Sequence, residues 1–233
     1  RIYDQSKVIS YYDDVAATFT NFAMSGIDKV HFGLEAAVSI PIYHTLALNG
    51  AVSWGQYTYD SNPYYLQTQD NSGDIVSDGY VYWKDFRVES TPQTAVNVGL
   101  SWRSNNNIYL SADFNYYNNM YLSMSPIYRT DAVITGGMAP GDIEHLRRQE
   151  KFDSAYTLNA SIGKNWYIHR KYTLGFSLDV KNILNNQDIK TGGYEQTRLS
   201  KNTETTVTTY QAFDSKYFYM FGTTYYLNVY FRF

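Results

Sequence analysis

No cysteine occurs among the 233 residues. That absence removes disulfide frameworks, thiolate metal sites and Cys-based redox motifs together. Proline is scarce, with 5 residues, and no apolar run approaches the ~20 residues that a membrane-spanning helix needs; the stretch from Leu34 to Val38 is already interrupted by Glu35. There is no excess of base either. Lys and Arg total 19 against 22 Asp and Glu, for a net charge of -3, and the cations are scattered, which speaks against nucleic-acid binding. No basic, apolar, small-residue leader follows Arg1, so we expect either a removed signal peptide or an internal fragment.

What is present is tyrosine, 25 residues of it, with 12 Phe, arranged in period-2 segments of the kind that form strands. The last segment is the clearest. Phe221, Thr223, Tyr225, Leu227, Val229, Phe231 and Phe233 alternate with Gly222, Thr224, Tyr226, Asn228, Tyr230 and Arg232. The same alternation sets Tyr172, Leu174, Phe176, Leu178 and Val180 against Thr173, Gly175, Ser177, Asp179 and Lys181. It sets Ile108, Leu110, Ala112 and Phe114 against Tyr109, Ser111, Asp113 and Asn115. Segments around Val30–Ile40, Leu46–Trp54, Val96–Trp102 and Tyr156–Ile162 read alike, giving about seven strands, each with one apolar and one polar face.

The connections alternate in length. Tyr43-His44, residues 104–107 and residues 166–171 are short, whereas 60–90, 124–153 and 186–218 are long and rich in Asp, Asn, Gly, Ser and Tyr. Short turns at one end and long loops at the other are the build of outer-membrane barrels. Trp54, Trp102, Trp166, Tyr172 and Phe231 fall near strand ends, as interfacial girdles do. The expected fold is therefore all-β: an antiparallel transmembrane β-barrel sector of about seven strands, with residues 1–20 an extracellular loop or strand remnant and 21–233 a seven-strand meander. Seven is odd, so either Ile2 to Tyr12 adds an eighth strand to close a narrow barrel, or the chain is a sector of a wide one. A soluble β-sandwich, with the apolar face as its core, is the third reading.

A family resemblance enters at particular residues. Thr20-Asn21-Phe22 followed by Gly33-Leu34-Glu35 and a Pro41 to His44 turn resembles a late descending strand of TonB-dependent receptors. Asn182-Ile183-Leu184-Asn185 resembles the segment that ends their penultimate strand, and Tyr230-Phe231-Arg232-Phe233 resembles their terminal strand. The Gly192-Gly193-Tyr194-Glu195-Gln196 loop is closest to the Bacteroidetes-type members, SusC-like or carboxypeptidase-regulatory-like. The resemblance implies a larger barrel of about 22 strands, located in the bacterial outer membrane, that takes up a scarce nutrient such as a glycan, peptide or siderophore. It also implies the partners: outer-membrane lipid and lipopolysaccharide, the barrel-assembly machinery reading Phe231 and Phe233, the TonB complex acting through a plug domain absent from this chain, and a SusD-like surface lipoprotein. The alternatives are an autonomous eight-stranded barrel acting as adhesin, small channel or rim enzyme, and a soluble carbohydrate-binding β-sandwich.

Catalytic signatures are lacking: no Gly-x-Ser-x-Gly, Walker or dinucleotide pattern occurs. His31, His44, His145 and His169 are too dispersed for a metal centre, and Glu144-His145 reads as an exposed polar turn, so neither an enzyme nor a cofactor is expected. Asp13, Asp14 and Glu150 read as solvated loop charge suited to bridging divalent ions at a lipopolysaccharide surface. Candidate ligand contacts are Tyr57, Tyr59, Tyr117, Asn119 and Tyr121, which parity places at the outer end of the lumen, with Tyr194 and Arg198 from the last long loop. Each offers a ring to stack or a polar group to bond.

Overall fold

The computed structural model describes residues 1–13, 17–89, 91–135, 148–169, 171–202 and 209–233, with side chains described outside 199–211. The molecule is all-β and antiparallel. Seven strands form the meander that the alternation predicts: β2 (Thr18–Tyr43), β3 (Leu46–Tyr59), β6 (Thr94–Arg103), β7 (Ile108–Asn118), β8 (Ala155–Ile168), β9 (Tyr172–Lys181) and β14 (Thr224–Arg232), hydrogen-bonded in that order. An additional strand, β1 (Ile2–Asp13), forms a hairpin with the upper half of β2, from Asp13 opposite Thr18 down to Ile2 opposite Lys29. Among the described residues the sheet is open, and β14 is paired only to β9.

Register carries the alternation across the whole sheet. Leu48 faces Leu100, Leu100 faces Ala112, and Ala112 faces Ala160; Ala160 faces Val180, which faces Tyr225. Even-numbered apolar residues of β2 from Val30 on, and of β3, β6, β7, β8 and β9, thus share one side, and on β14 the odd-numbered Tyr225, Leu227, Val229 and Phe231 join them. A one-residue slip would send every one of these side chains to the opposite face.

The two faces are inverted relative to a soluble sheet. Leu34, Val38 and Leu227 are 68%, 56% and 64% exposed, while the opposite face holds a cross-strand polar network. Ser39 donates to Asn49 at 2.7 Å, Asn49 to Ser101 at 3.2 Å, Asn97 to Asn115 at 2.8 Å, and Ser111 pairs with Ser161 at 2.8 Å. Two tyrosines of this face lie flat over glycines on the neighbouring strand: Tyr109 over Gly163 and Tyr230 over Gly175, leaving no room for a Cβ at either. Tyr230 also donates to Asn165 at 2.6 Å. Removing the side chain under the ring is what lets a bulky residue pack on a flat sheet.

The buried core lies among the long loops. β4 (Tyr64–Gln69) continues the line of β3 and pairs with the upper part of β2. β5 (Ile75–Tyr80) pairs with β4. Together with residues 81–88 and 120–133 they enclose Phe22, Met24, Ile27, Tyr59, Tyr65, Val81, Trp83, Tyr128 and Val133. A second cluster gathers Met120, Leu122, Phe152, Ala155 and Ile189. Gly26, at φ +73°, is where β2 changes sides. The register with β1 slips by one between Gln5 opposite Ile27 and Lys7 opposite Met24, so Phe22 and Met24 point inward above this bulge while the even residues from Val30 down point outward.

Replacing Gly163 or Gly175 by Ala should displace the covering tyrosine and cost about 1–3 kcal/mol as overpacking does. Gly50→Ala, where the nearest atom is a Val38 methyl at an ordinary 3.5 Å, should cost under about 1 kcal/mol. Urea unfolding of the three variants checks the order.

Candidate functional site

At the long-loop end the polar face of the sheet meets a folded cap built from residues 60–89, 91–93, 119–135, 148–154, 182–202 and 209–223. Its centre is a bidentate ion pair. Arg129, 2% exposed, gives NH1 to Glu195 Oε2 at 2.5 Å and NH2 to Oε1 at 2.8 Å. NH1 also reaches the carbonyl of Ser125 at 3.1 Å, and the Ser125 N–H donates to Glu195 at 2.8 Å. The guanidinium lies 5.4 Å from the Phe86 ring centre. Glu195 belongs to the Gly-Gly-Tyr-Glu-Gln loop, so this pair pins the last long loop to the one before it. A buried pair is held mainly because losing one partner strands the other charge.

A second clasp lies nearby. Lys190, on β10 (Lys190–Tyr194), bonds Glu150 at 3.0 Å and sits 3.8 Å over the Tyr217 ring, whose hydroxyl donates to the other Glu150 oxygen at 2.7 Å. Burial and the Glu150 carboxylate together raise the Tyr217 phenol above its ordinary pKa. Burial also pushes the Tyr128 phenol up to about 12; its hydroxyl donates to the Arg198 carbonyl at 2.8 Å. These tyrosines stay neutral donors in the pH range where the carboxylates are charged.

The Asn182-Ile183-Leu184-Asn185 segment is a structural knot. Asn182 and Asn185 both have positive φ, at 51° and 52°. The Asn182 amide donates to the carbonyls of Asn186 and Phe221 at 2.9 and 3.0 Å, and its own carbonyl accepts from Thr223 Oγ1 at 2.9 Å. Asn185 Oδ1 accepts the Thr223 N–H at 3.1 Å. The end of β9 is thereby stitched to the start of β14.

Below the cap, the polar face carries an open hollow of about 490 Å³ lined by Glu35, Ala37, Ala51, Ser53, Ala95, Asn97, Asn115 and Tyr117. Its floor is alanine. Ser53 donates to Glu35 at 3.3 Å, leaving carboxylate and amide groups pointing at a space small residues have vacated.

The candidate contacts named from sequence separate into groups. Tyr57 and Tyr117 are half-buried on the polar face at the cap boundary, Tyr57 with its ring 4.8 Å from His31 and Tyr117 at the rim of the hollow. Asn119, at φ 57°, is a turn residue whose amide donates to Thr94 at 3.1 Å. Tyr121 bridges to Lys151. Tyr194 is exposed, 5.9 Å from Phe218, and Arg198 stacks over Phe213 at 4.8 Å. Tyr59 departs from its assignment: it is 3% exposed, stacks on Trp83 and donates to Glu89 at 2.9 Å, so it is a core residue of the cap rather than a surface a ligand meets. Glu150 is likewise not free loop charge, being held by Lys190 and Tyr217. Glu144 and His145 lie outside the described residues. Phe231 stacks on Tyr172 at 5.8 Å, and Phe233 is 94% exposed. Sequence reasoning missed three isolated polar residues without any motif: Arg129; Gln93, whose buried amide accepts the Tyr57 N–H at 3.3 Å and donates to the Tyr57 carbonyl at 3.1 Å; and Asp131, which accepts the Tyr80 N–H at 2.9 Å.

Among the described residues no group of three or more acidic or histidine side chains comes together to hold a metal, and no helix is long and apolar enough to cross a membrane. The chain matches no protein-family model, no curated protein and no solved structure.

Glu195→Ala should strand Arg129 and cost about 3–5 kcal/mol locally. Amide exchange and proteolysis should then rise across 120–130 and 186–198, while β6 to β9 stay protected. Uniform loss of protection would show that the cap and sheet unfold as one unit.

Proposed function

We propose that this chain is wall and outer loops of a transmembrane β-barrel in the bacterial outer membrane, part of a TonB-dependent receptor that takes up a nutrient from outside. The observation that carries this reading is the inverted sheet: one continuous apolar face open on seven strands, backed by a hydrogen-bonded polar face, with long connections at one end and tight turns at the other. Lipid on one side and water or a polar plug on the other is the environment that suits such faces. A soluble β-sandwich would need the apolar face covered, and Leu34 and Leu227 are open.

Two edges favour a wide barrel over a closed eight-stranded one. β1 covers β2 only from Thr18 to Lys29, which leaves the backbone of β2 from Val30 to Tyr43 unpaired on that side, and β14 has a second free edge. Unpaired backbone in hydrocarbon costs several kcal/mol per group, so in this reading each edge pairs with a further strand. We assign those strands to the same receptor barrel. The hollow beside Glu35 then faces the lumen, and Tyr57, Tyr117, Tyr194 and Arg198 are the groups placed to contact a passing ligand; no step of this reading calls for catalysis.

Leu178→Arg should destabilise the membrane-embedded protein by about 2–4 kcal/mol, and Ser177→Arg, one residue away on the polar face, by much less. Unfolding from lipid vesicles measures both; equal losses or the reverse order would sink the reading. Deleting Phe233 should lower outer-membrane levels in cells more than it lowers folding yield in detergent, and equal effects would remove the assembly role of the terminal aromatic.

A further inference from the structure

Above the bulge at Gly26 the outward side of the raised rim carries a second, different surface. Ser25 faces Tyr64, and Tyr64 faces Tyr80; Tyr65 points inward, 1% exposed, so Tyr64 and Tyr80 share the outward side. Val81 is fully buried and Tyr82 beyond it is again outward. The three rings are 40%, 53% and 42% exposed, with Tyr64 and Tyr80 edge to face, their centres 5.7 Å apart.

Two of the three hydroxyls are turned into carboxylates: Tyr64 donates to Asp78 and Tyr82 donates to Asp131 at 2.5 Å. Between them the Tyr80 backbone N–H donates to the other Asp131 oxygen at 2.9 Å. Holding two phenol ends and the Tyr80 backbone orients the rings and leaves their faces as the surface on offer. Ring faces stack on the C–H side of a pyranose, and a carboxylate edge accepts sugar hydroxyls. Two carboxylates within the cluster disfavour a phosphate.

Position selects the source of the sugar. At about 3.3 Å per residue and a tilt of ~40°, Ser25 and the Tyr64 opposite it stand about 18 Å above Phe32, and farther above Trp54, which lies opposite Leu34. The headgroup layer is only about 5–8 Å deep on each side. Above it, on the lipid-facing flank, the neighbour is the saccharide of a membrane glycolipid. We infer that Tyr64, Tyr80 and Tyr82 form a docking surface for the neutral sugars of an outer-leaflet glycolipid, an inference that rests on the membrane reading above.

The test uses the intact polypeptide that carries this chain, reconstituted in phosphatidylcholine vesicles with and without a rough lipopolysaccharide. Tyr64→Leu and Tyr80→Leu should each weaken glycolipid retention by about fivefold. Tyr80→Phe, which keeps the ring, should bind as the parent does. Insertion into vesicles of phosphatidylcholine alone should be the same for all four proteins. Failure of the parent to insert would overturn the membrane reading and this inference with it. Normal insertion with undiminished glycolipid retention in both leucine variants would overturn the inference alone. So would equal affinity for the lipid-free oligosaccharide, which would make the patch a site for soluble glycan, or displacement of the glycolipid by choline but not by that oligosaccharide, which would make it a cation cage.

Discussion

Everything in this molecule depends on the strict period of two imposed by extended backbone. Seven strands keep a single phase, and the hydrogen-bonded register transmits that phase from the Lys29–Pro41 part of β2 to β14 without a slip. One face can therefore be predominantly apolar and the other carry a cross-strand hydrogen-bond network, which neither propensity nor composition would achieve alone. The polar network of Ser39, Asn49, Ser101, Asn97 and Asn115 is the other half of the same constraint. Because these side chains bond to one another across strands, the inward face satisfies itself without a hydrophobic layer beneath it.

The cap obeys a different rule. Its stability comes from ordinary burial, in two aromatic and aliphatic clusters, together with ion pairs that join loops distant in sequence. Gly26 separates the two regimes on a single 26-residue strand, which spans far more than the 9–11 residues needed to cross a bilayer. Below the bulge the strand is inside-out; above it the strand has a buried inner side like that of a soluble protein.

The sheet was legible because each of its strands repeats one signal many times, and the turns confirmed its direction. β1 was harder. Ile2-Tyr3-Asp4-Gln5 does not alternate, and a positive φ at Asp4 breaks its ladder, so the sequence allowed a strand there without requiring one. Parity sets both Tyr57 and Tyr59 on the inward side, but the sequence does not reveal that Trp83 and Glu89 return from a loop to cover the latter. Arg129 and Glu195 are invisible for the same reason. Their meaning comes from a contact 66 residues apart, and nothing local to either residue distinguishes it from a solvated charge.

The knot at Asn182 has a consequence for how freely this protein can change. Its bonds to Phe221 and Thr223 close the longest connection of the sheet at its base, independently of what lies between. The entropy of closing such a loop grows only with the logarithm of its length, about 0.6 kcal/mol for each doubling. Away from Ile189, Lys190 and Glu195, which the cap holds, residues can be inserted or lost in this connection at small thermodynamic cost, while β14 stays in register. The connection can thus diversify in length on a foundation that does not have to be rebuilt.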